Sequence, residues 1–167
     1  MSAAGLEPDE VADVTPQQWR DAVTAAIASG CRWLSLITAW DASCESATRG
    51  AGRRGARGRA DARPEMVVCC RLLDREAGRA IRLETRIPWD ERDGYRLPSV
   101  RDLVAGAAWY EREIADQFGI TVDGADPRPP VIHPGRSATP AAPMRRSVEL
   151  PGRAGGPPGG RERGRRR

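Results

Sequence analysis

The sequence predicts an α+β fold: a small antiparallel or mixed sheet of about three to four strands packed against two or three helices. Three observations predict it. Residues 81–87 alternate apolar and polar side chains, the period of a half-buried strand. Residues 32–40 and 65–73 are apolar, partly β-branched and too short for long helices. Tyr110, Ile114 and Phe118 recur every four residues, the spacing of one helix face.

The elements follow in order. Thr15-Pro16-Gln17-Gln18 supplies an N-cap, a proline at the first helical position and a glutamine three residues after the cap. Trp19, Ala22, Val23, Ala26 and Ile27 then mark the buried stripe of a first helix, which Gly30 ends. Residues 32–40 form the first strand. From 43 to 64 the chain is rich in Gly, Ala, Ser and Arg without periodicity, and a long disordered hairpin loop is expected. Residues 65–73 are the second strand and 74–78 a turn. In the third strand Ile81, Leu83, Thr85 and Ile87 point one way and Arg82, Glu84 and Arg86 the other. Short connections favour an antiparallel meander covered by helices on one face. Pro88 closes the strand, and 89–97 is expected to be a connecting loop. Ser99, with Asp102 three residues on, reads as the cap of a short second helix. The last helix spans Tyr110 to Phe118, with Gly119 placed for a left-handed cap and Ile120 able to fold back onto the last turn.

At 167 residues and 40% hydrophobic side chains, one domain over 15–150 is expected, between a flexible N-terminus (1–14) and a disordered basic tail (151–167). No apolar run approaches the roughly 20 residues that span a bilayer. The acidic first ten residues lack the pattern of a signal peptide. A cytoplasmic chain that meets membranes through its partners is expected.

The formal charge of +4 suggests nucleic acid, but its distribution argues against it. The tail carries six arginines against Glu162, and residues 49–63 carry six against Asp61, so the remaining body is acidic. Neither segment has an aromatic side chain to stack on bases. Cys31, Cys44, Cys69 and Cys70 contain no Cys-x-x-Cys, and His133 is the only histidine. They read as small core or surface residues rather than ligands, and His133 as a surface loop residue. No Gly-rich phosphate loop or dinucleotide fingerprint is present.

The densest chemistry lies in Trp109-Tyr110-Glu111-Arg112-Glu113-Ile114-Ala115-Asp116-Gln117-Phe118-Gly119-Ile120. Arg112 and Asp116 are spaced to pair on a helix. By periodicity alone these charges are a solvated face, and a hydrolase using Glu111 or Glu113 is a minor alternative. The longer run from Leu97-Pro98-Ser99-Val100 through Ile120 resembles the signature of the 30-kDa subunit family of respiratory complex I, the proton-translocating NADH–quinone oxidoreductase. Its Glu-Arg-Glu, acid and Phe-Gly pattern falls on Glu111, Arg112, Glu113, Asp116, Phe118 and Gly119, whereas Gln117 departs from the usual apolar residue. Beyond Ile120 the likeness thins: Ala125 replaces a histidine and Pro129-Pro130 a pair of arginines, but residues 143–150 resemble a segment near the end of family members.

The resemblance implies a structural and assembly subunit of the hydrophilic arm, peripheral on the cytoplasmic side of the bacterial plasma membrane. It implies no cofactor in this chain, with FMN, iron–sulfur clusters and quinone held by partner subunits. The implied partners are the quinone-site (49-kDa) subunit and neighbouring iron–sulfur subunits. The expected interface is Tyr110, Glu111, Arg112, Glu113, Asp116, Phe118, Gly119, Ile120, Arg145 and Arg146. In it Arg112 and Asp116 are the polar anchors and Phe118 and Ile120 the apolar ones. The Arg-rich tail could make weak contact with anionic lipid. The equivalent subunit of an energy-converting hydrogenase or formate hydrogenlyase-type complex is the alternative.

Overall fold

The computed structural model describes residues 10–43, 64–125 and 141–149. The expected Arg-rich loop with Cys44, the stretch containing His133, and the basic tail lie outside the described residues.

Six strands and two helices make up the described chain. In order they are β1 (Glu10–Val14), α1 (Trp19–Ala28), β2 (Trp33–Asp41), β3 (Glu65–Asp74), β4 (Arg79–Pro88), β5 (Tyr95–Pro98), α2 (Ala107–Phe118) and β6 (Ile120–Asp123). The α+β class holds. The main sheet has the order β1-β4-β3-β2, and β2, β3 and β4 form the expected antiparallel meander.

Each strand of the meander follows from its side chains. In central β3, Met66, Val68, Cys70 and Leu72 share one face and join Trp19, Val23 and Ala26 of α1 and Ala107, Ile114 and Phe118 of α2 in one core. Both helices therefore cover the same side of the sheet. On the other side Val67 and Cys69 are also buried, opposite Arg86 and Glu84 of β4. The Arg86–Glu65 pair at 2.9 Å keeps a long arginine stem near this face. A bulge in β2 between Leu34 and Leu36 skips Ser35, whose carbonyl accepts the Tyr110 hydroxyl at 3.1 Å.

Several expectations need correction. The flexible N-terminus ends earlier than expected, because Glu10–Val14 pair in parallel with β4, Glu10 facing Ile81. A short, charged segment gains strand form from its neighbour rather than from its own propensity. The box at Thr15 and Gln18 does form, with the Gln18 amide donating to Thr15 Oγ1 and the Thr15 amide to Gln18 Oε1. It closes a turn, and regular helix starts only at Trp19. Residues 89–97 are not all loop. Tyr95–Pro98 form β5, paired in parallel with β6 in a second, two-stranded sheet. Parallel neighbours need a crossover, and α2 supplies it, so residues 95–123 are a β-α-β unit. The short helix expected after Ser99 is a single turn, closed by Val104 N–H on Val100 O at 2.9 Å.

Candidate partner interface

Helix α2 is amphipathic because Ala107, Glu111, Ile114 and Phe118 recur at spacings of three and four, and all four are buried. The inclusion of a glutamate in that stripe is the main surprise. Glu111 is 3% exposed; its carboxylate accepts Ser99 Oγ at 2.7 Å and the Val100 amide at 2.6 Å. It thereby fixes the turn that leads from β5 into α2. Ser99 is a crossing point. Its amide donates to Asp123 O at 2.8 Å, and its carbonyl accepts a hydrogen bond from Arg20 of α1. Arg20 also forks onto Asp102 at 2.8 and 2.7 Å. That hydrogen bond holds the Asp102 carboxyl down to about 2.

Gly119 ends α2 as expected, at φ 64, its amide on Ala115 O at 2.8 Å. Arg145 completes the cap. Its Nε donates to Phe118 O at 2.6 Å and its Nη2 to Gly119 O at 2.9 Å, a cation at the negative end of the helix. The guanidinium lies 5.6 Å from the Trp89 ring centre and 5.1 Å from that of Tyr95. A β-carbon on Gly119 would meet Arg145 Nη2 at 2.5 Å, so any other residue there would displace the guanidinium as well as strain the backbone.

The expected interface residues therefore separate into two groups. Glu111, Phe118 and Ile120 are buried in the chain's own core, Ile120 at 1% exposure. Phe118 and Ile120 cannot be apolar anchors for a partner, since their surfaces are already taken. Gly119 and Arg145 are occupied with each other. Tyr110 is half-buried and tied to β2. Arg146 exposes its side chain, while its amide donates to Asp41 Oδ2 at 2.9 Å. Burial pushes the Asp41 pKa up, but hydrogen bonds from Ser43 and from the Arg146 amide outweigh it and leave the pKa lowered. What remains exposed is Glu113, with Arg112 and Asp116 partly buried. Trp109 joins them, 56% exposed, with the Arg112 guanidinium 5.4 Å from its ring centre. Both carboxylate oxygens of Glu111 are thus occupied within the fold.

Ser99, Arg20, Asp41, Trp89 and Tyr95 hold this region and were missed as functional positions. Ser99 stood inside the signature run, where its spacing to Asp102 suggested a cap. The other four carry no local signal, because their partners are far away in sequence. Cys31, Cys69 and Cys70 are buried thiols, and burial pushes the Cys70 thiol up to about 12.

The family described as respiratory-chain NADH dehydrogenase, 30 Kd subunit, matches residues 12–154. The chain belongs to that family. A stretch of 58 residues is 41% identical to the C/D-type subunit of the NADH-quinone oxidoreductase of Gluconacetobacter diazotrophicus; it covers 35% of this chain and 9% of that relative. Among solved structures, this 30-kDa-family chain is similar to a chain of the membrane-bound sulfane sulfur reductase, an archaeal respiratory membrane complex. The TM-score is 0.52 and the identity 25%, over 72% of this chain and 61% of that one. A trypsin-resistant fragment of Nqo5 aligns with TM-score 0.49 and 24% identity, over 71% of this chain and 81% of the fragment. No helix among the described residues of this family member is long and apolar enough to cross a membrane.

Proposed function

We propose that this chain is an assembly and structural subunit of the hydrophilic arm of a proton-translocating NADH–quinone oxidoreductase. In this reading it holds no redox centre and sits peripherally on the cytoplasmic side of the membrane. FMN, iron–sulfur clusters and quinone belong to its partners, the quinone-site subunit and neighbouring iron–sulfur subunits. Family membership supports the assignment to this class of complex. The observation that carries the docking role is the outward side of α2, where Trp109 stands exposed with Arg112 stacked on it and Glu113 and Asp116 follow along the helix. Tryptophan and arginine dominate the energetic centres of interfaces, and this helix presents one of each side by side. Arg112 and Asp116 keep their proposed part as polar anchors. Trp109 takes the apolar part that Phe118 and Ile120 cannot.

Capture of the tagged full chain from its own membranes tests this. Subunits carrying flavin, clusters and the quinone site are expected to come with it, and a chain recovered alone would end the proposal. The likeness to a chain of another respiratory membrane complex, an archaeal sulfane sulfur reductase, supports a second reading outside the NADH-oxidising class, and the equivalent subunit of an energy-converting hydrogenase or formate hydrogenlyase-type complex is that alternative. Co-capture of a nickel-site subunit in place of the NADH-oxidising one would select it.

A further inference from the structure

Residues 141–149 return to the fold after fifteen residues outside the described chain. Their attachment is unlike that of the sheets. Apart from Ala142, every one of them is exposed or half-exposed, and Met144 is 58% exposed. They are held by polar contacts instead. The Met144 amide donates to Gln117 O at 3.0 Å, Arg145 donates to Phe118 O and Gly119 O, and the Arg146 amide donates to the Asp41 carboxylate. Ala142, the one buried member, has φ 53, a left-handed backbone that a β-carbon disfavours.

These observations combine in one direction. A segment that buries little apolar surface and contains a disfavoured backbone angle belongs to the low-stability end of a structure, where local opening precedes global unfolding. Yet its contacts reach three separate places: the end of α2, the Trp89–Tyr95 pair at the start of β5, and the last residue of β2. We propose that residues 141–149 are a clasp that opens as a unit while the main sheet stays folded, with Arg145 as its key. Arg145 is the key because it alone among the clasp's described side chains satisfies two helix-end carbonyls and stacks on two rings. A lysine keeps the charge but lacks the planar fork whose two nitrogens meet the two carbonyls while its central carbon sits near both rings. Opening uncovers the carbonyls of Gln117, Phe118 and Gly119 and one face each of Trp89 and Tyr95. This goes beyond the docking reading and does not depend on which complex the chain serves.

Residue-resolved hydrogen exchange on the full chain tests it, in water and in low urea. In the wild type, the Met144 and Arg146 amides are expected to exchange at least about tenfold faster than those of Val68 and Cys70, with little urea dependence, as local opening requires. Arg145→Lys should speed the Met144 and Arg146 amides by about tenfold again and leave β3 unchanged. Equal rates and equal urea dependence of both sets in the wild type would overturn the clasp. If Arg145→Lys changes both sets alike, or neither, Arg145 is not its key. Asp41→Asn gives a second approach should the lysine variant fold poorly, since it weakens the acceptor of the Arg146 amide together with that of Ser43 just after β2; there too the Met144 and Arg146 amides should speed up while those of Val68 and Cys70 do not.

Discussion

Replacing Glu111 with alanine removes both acceptors that organise the turn before α2. The Val100 amide, fixed by the backbone at 2.6 Å from the carboxylate, is left buried with no partner, and Ser99 loses the acceptor of its hydroxyl. A buried donor left unsatisfied costs about 1–3 kcal/mol. The serine hydroxyl can rotate while the amide cannot, so the two together should cost about 2–4 kcal/mol. Glutamine is a sharper probe. Its oxygen can still accept the Val100 amide and its nitrogen can donate to Ser99 Oγ, so the loss should stay below about 1.5 kcal/mol. Urea unfolding of the full chain, followed by tryptophan fluorescence, reads the difference. With a slope of about 2 kcal/mol per molar, Glu111→Ala should lower the midpoint by about 1–2 M and Glu111→Gln by well under 1 M. Exposed Glu113→Ala is the control and should stay within about 0.5 kcal/mol of the wild type. Equal shifts for Glu111→Ala and Glu113→Ala would refute the reasoning, as would a glutamine variant as unstable as the alanine one.

Three further expectations rest on the same contacts. Gly119→Ala forces a left-handed alanine, costing about 1–2 kcal/mol from the backbone alone, and drives its β-carbon into Arg145; a calorimetric midpoint checks it. Asp102 is held down to about 2 from its ordinary 3.8 by the Arg20 hydrogen bond. Its contribution to stability is therefore complete above about pH 4 and lost as pH falls towards 2. Arg20→Gln should flatten that part of an acid unfolding profile and leave neutral pH as the region of largest difference from the wild type. Trp109→Ala should leave the unfolding free energy of the isolated chain, read by urea, within about 0.5 kcal/mol of the wild type, because the indole is mostly in water.

The parts of the fold legible in the sequence are those set by local periodicity. Ile81, Leu83, Thr85 and Ile87 alternate strictly, and the face they define is the buried one but for a half-exposed Ile81. The strand at 33–41, the strand at 65–74 and the glycine at 119 were legible for the same reason: each is decided by neighbours within a few positions. The missed elements are decided at a distance. Glu10–Val14 and Tyr95–Pro98 are four or five residues long and pair in parallel with partners far along the chain. No local pattern announces such pairing. Ser99 had the spacing of a helix cap, but the Glu111 carboxylate twelve residues on took its hydroxyl. The site divided along the same line. That residues 109–120 mattered was visible from residue types, whereas which of them face inward was not, since a buried glutamate and a solvated one look alike in a sequence. Arg145 shows the same limit. Its place in a family-like segment was visible, and its grip on the Phe118 and Gly119 carbonyls was not.

The central claim is that this chain contributes a surface, the outward side of α2, rather than chemistry of its own. It is tested most directly by membranes from cells whose sole copy carries Trp109→Ala together with Glu113→Arg. The account predicts that the purified variant chain unfolds at nearly the wild-type urea concentration, while NADH:quinone reductase activity falls about tenfold or more, as loss of an interface centre implies. Membranes with full activity and the full set of co-captured subunits would contradict it.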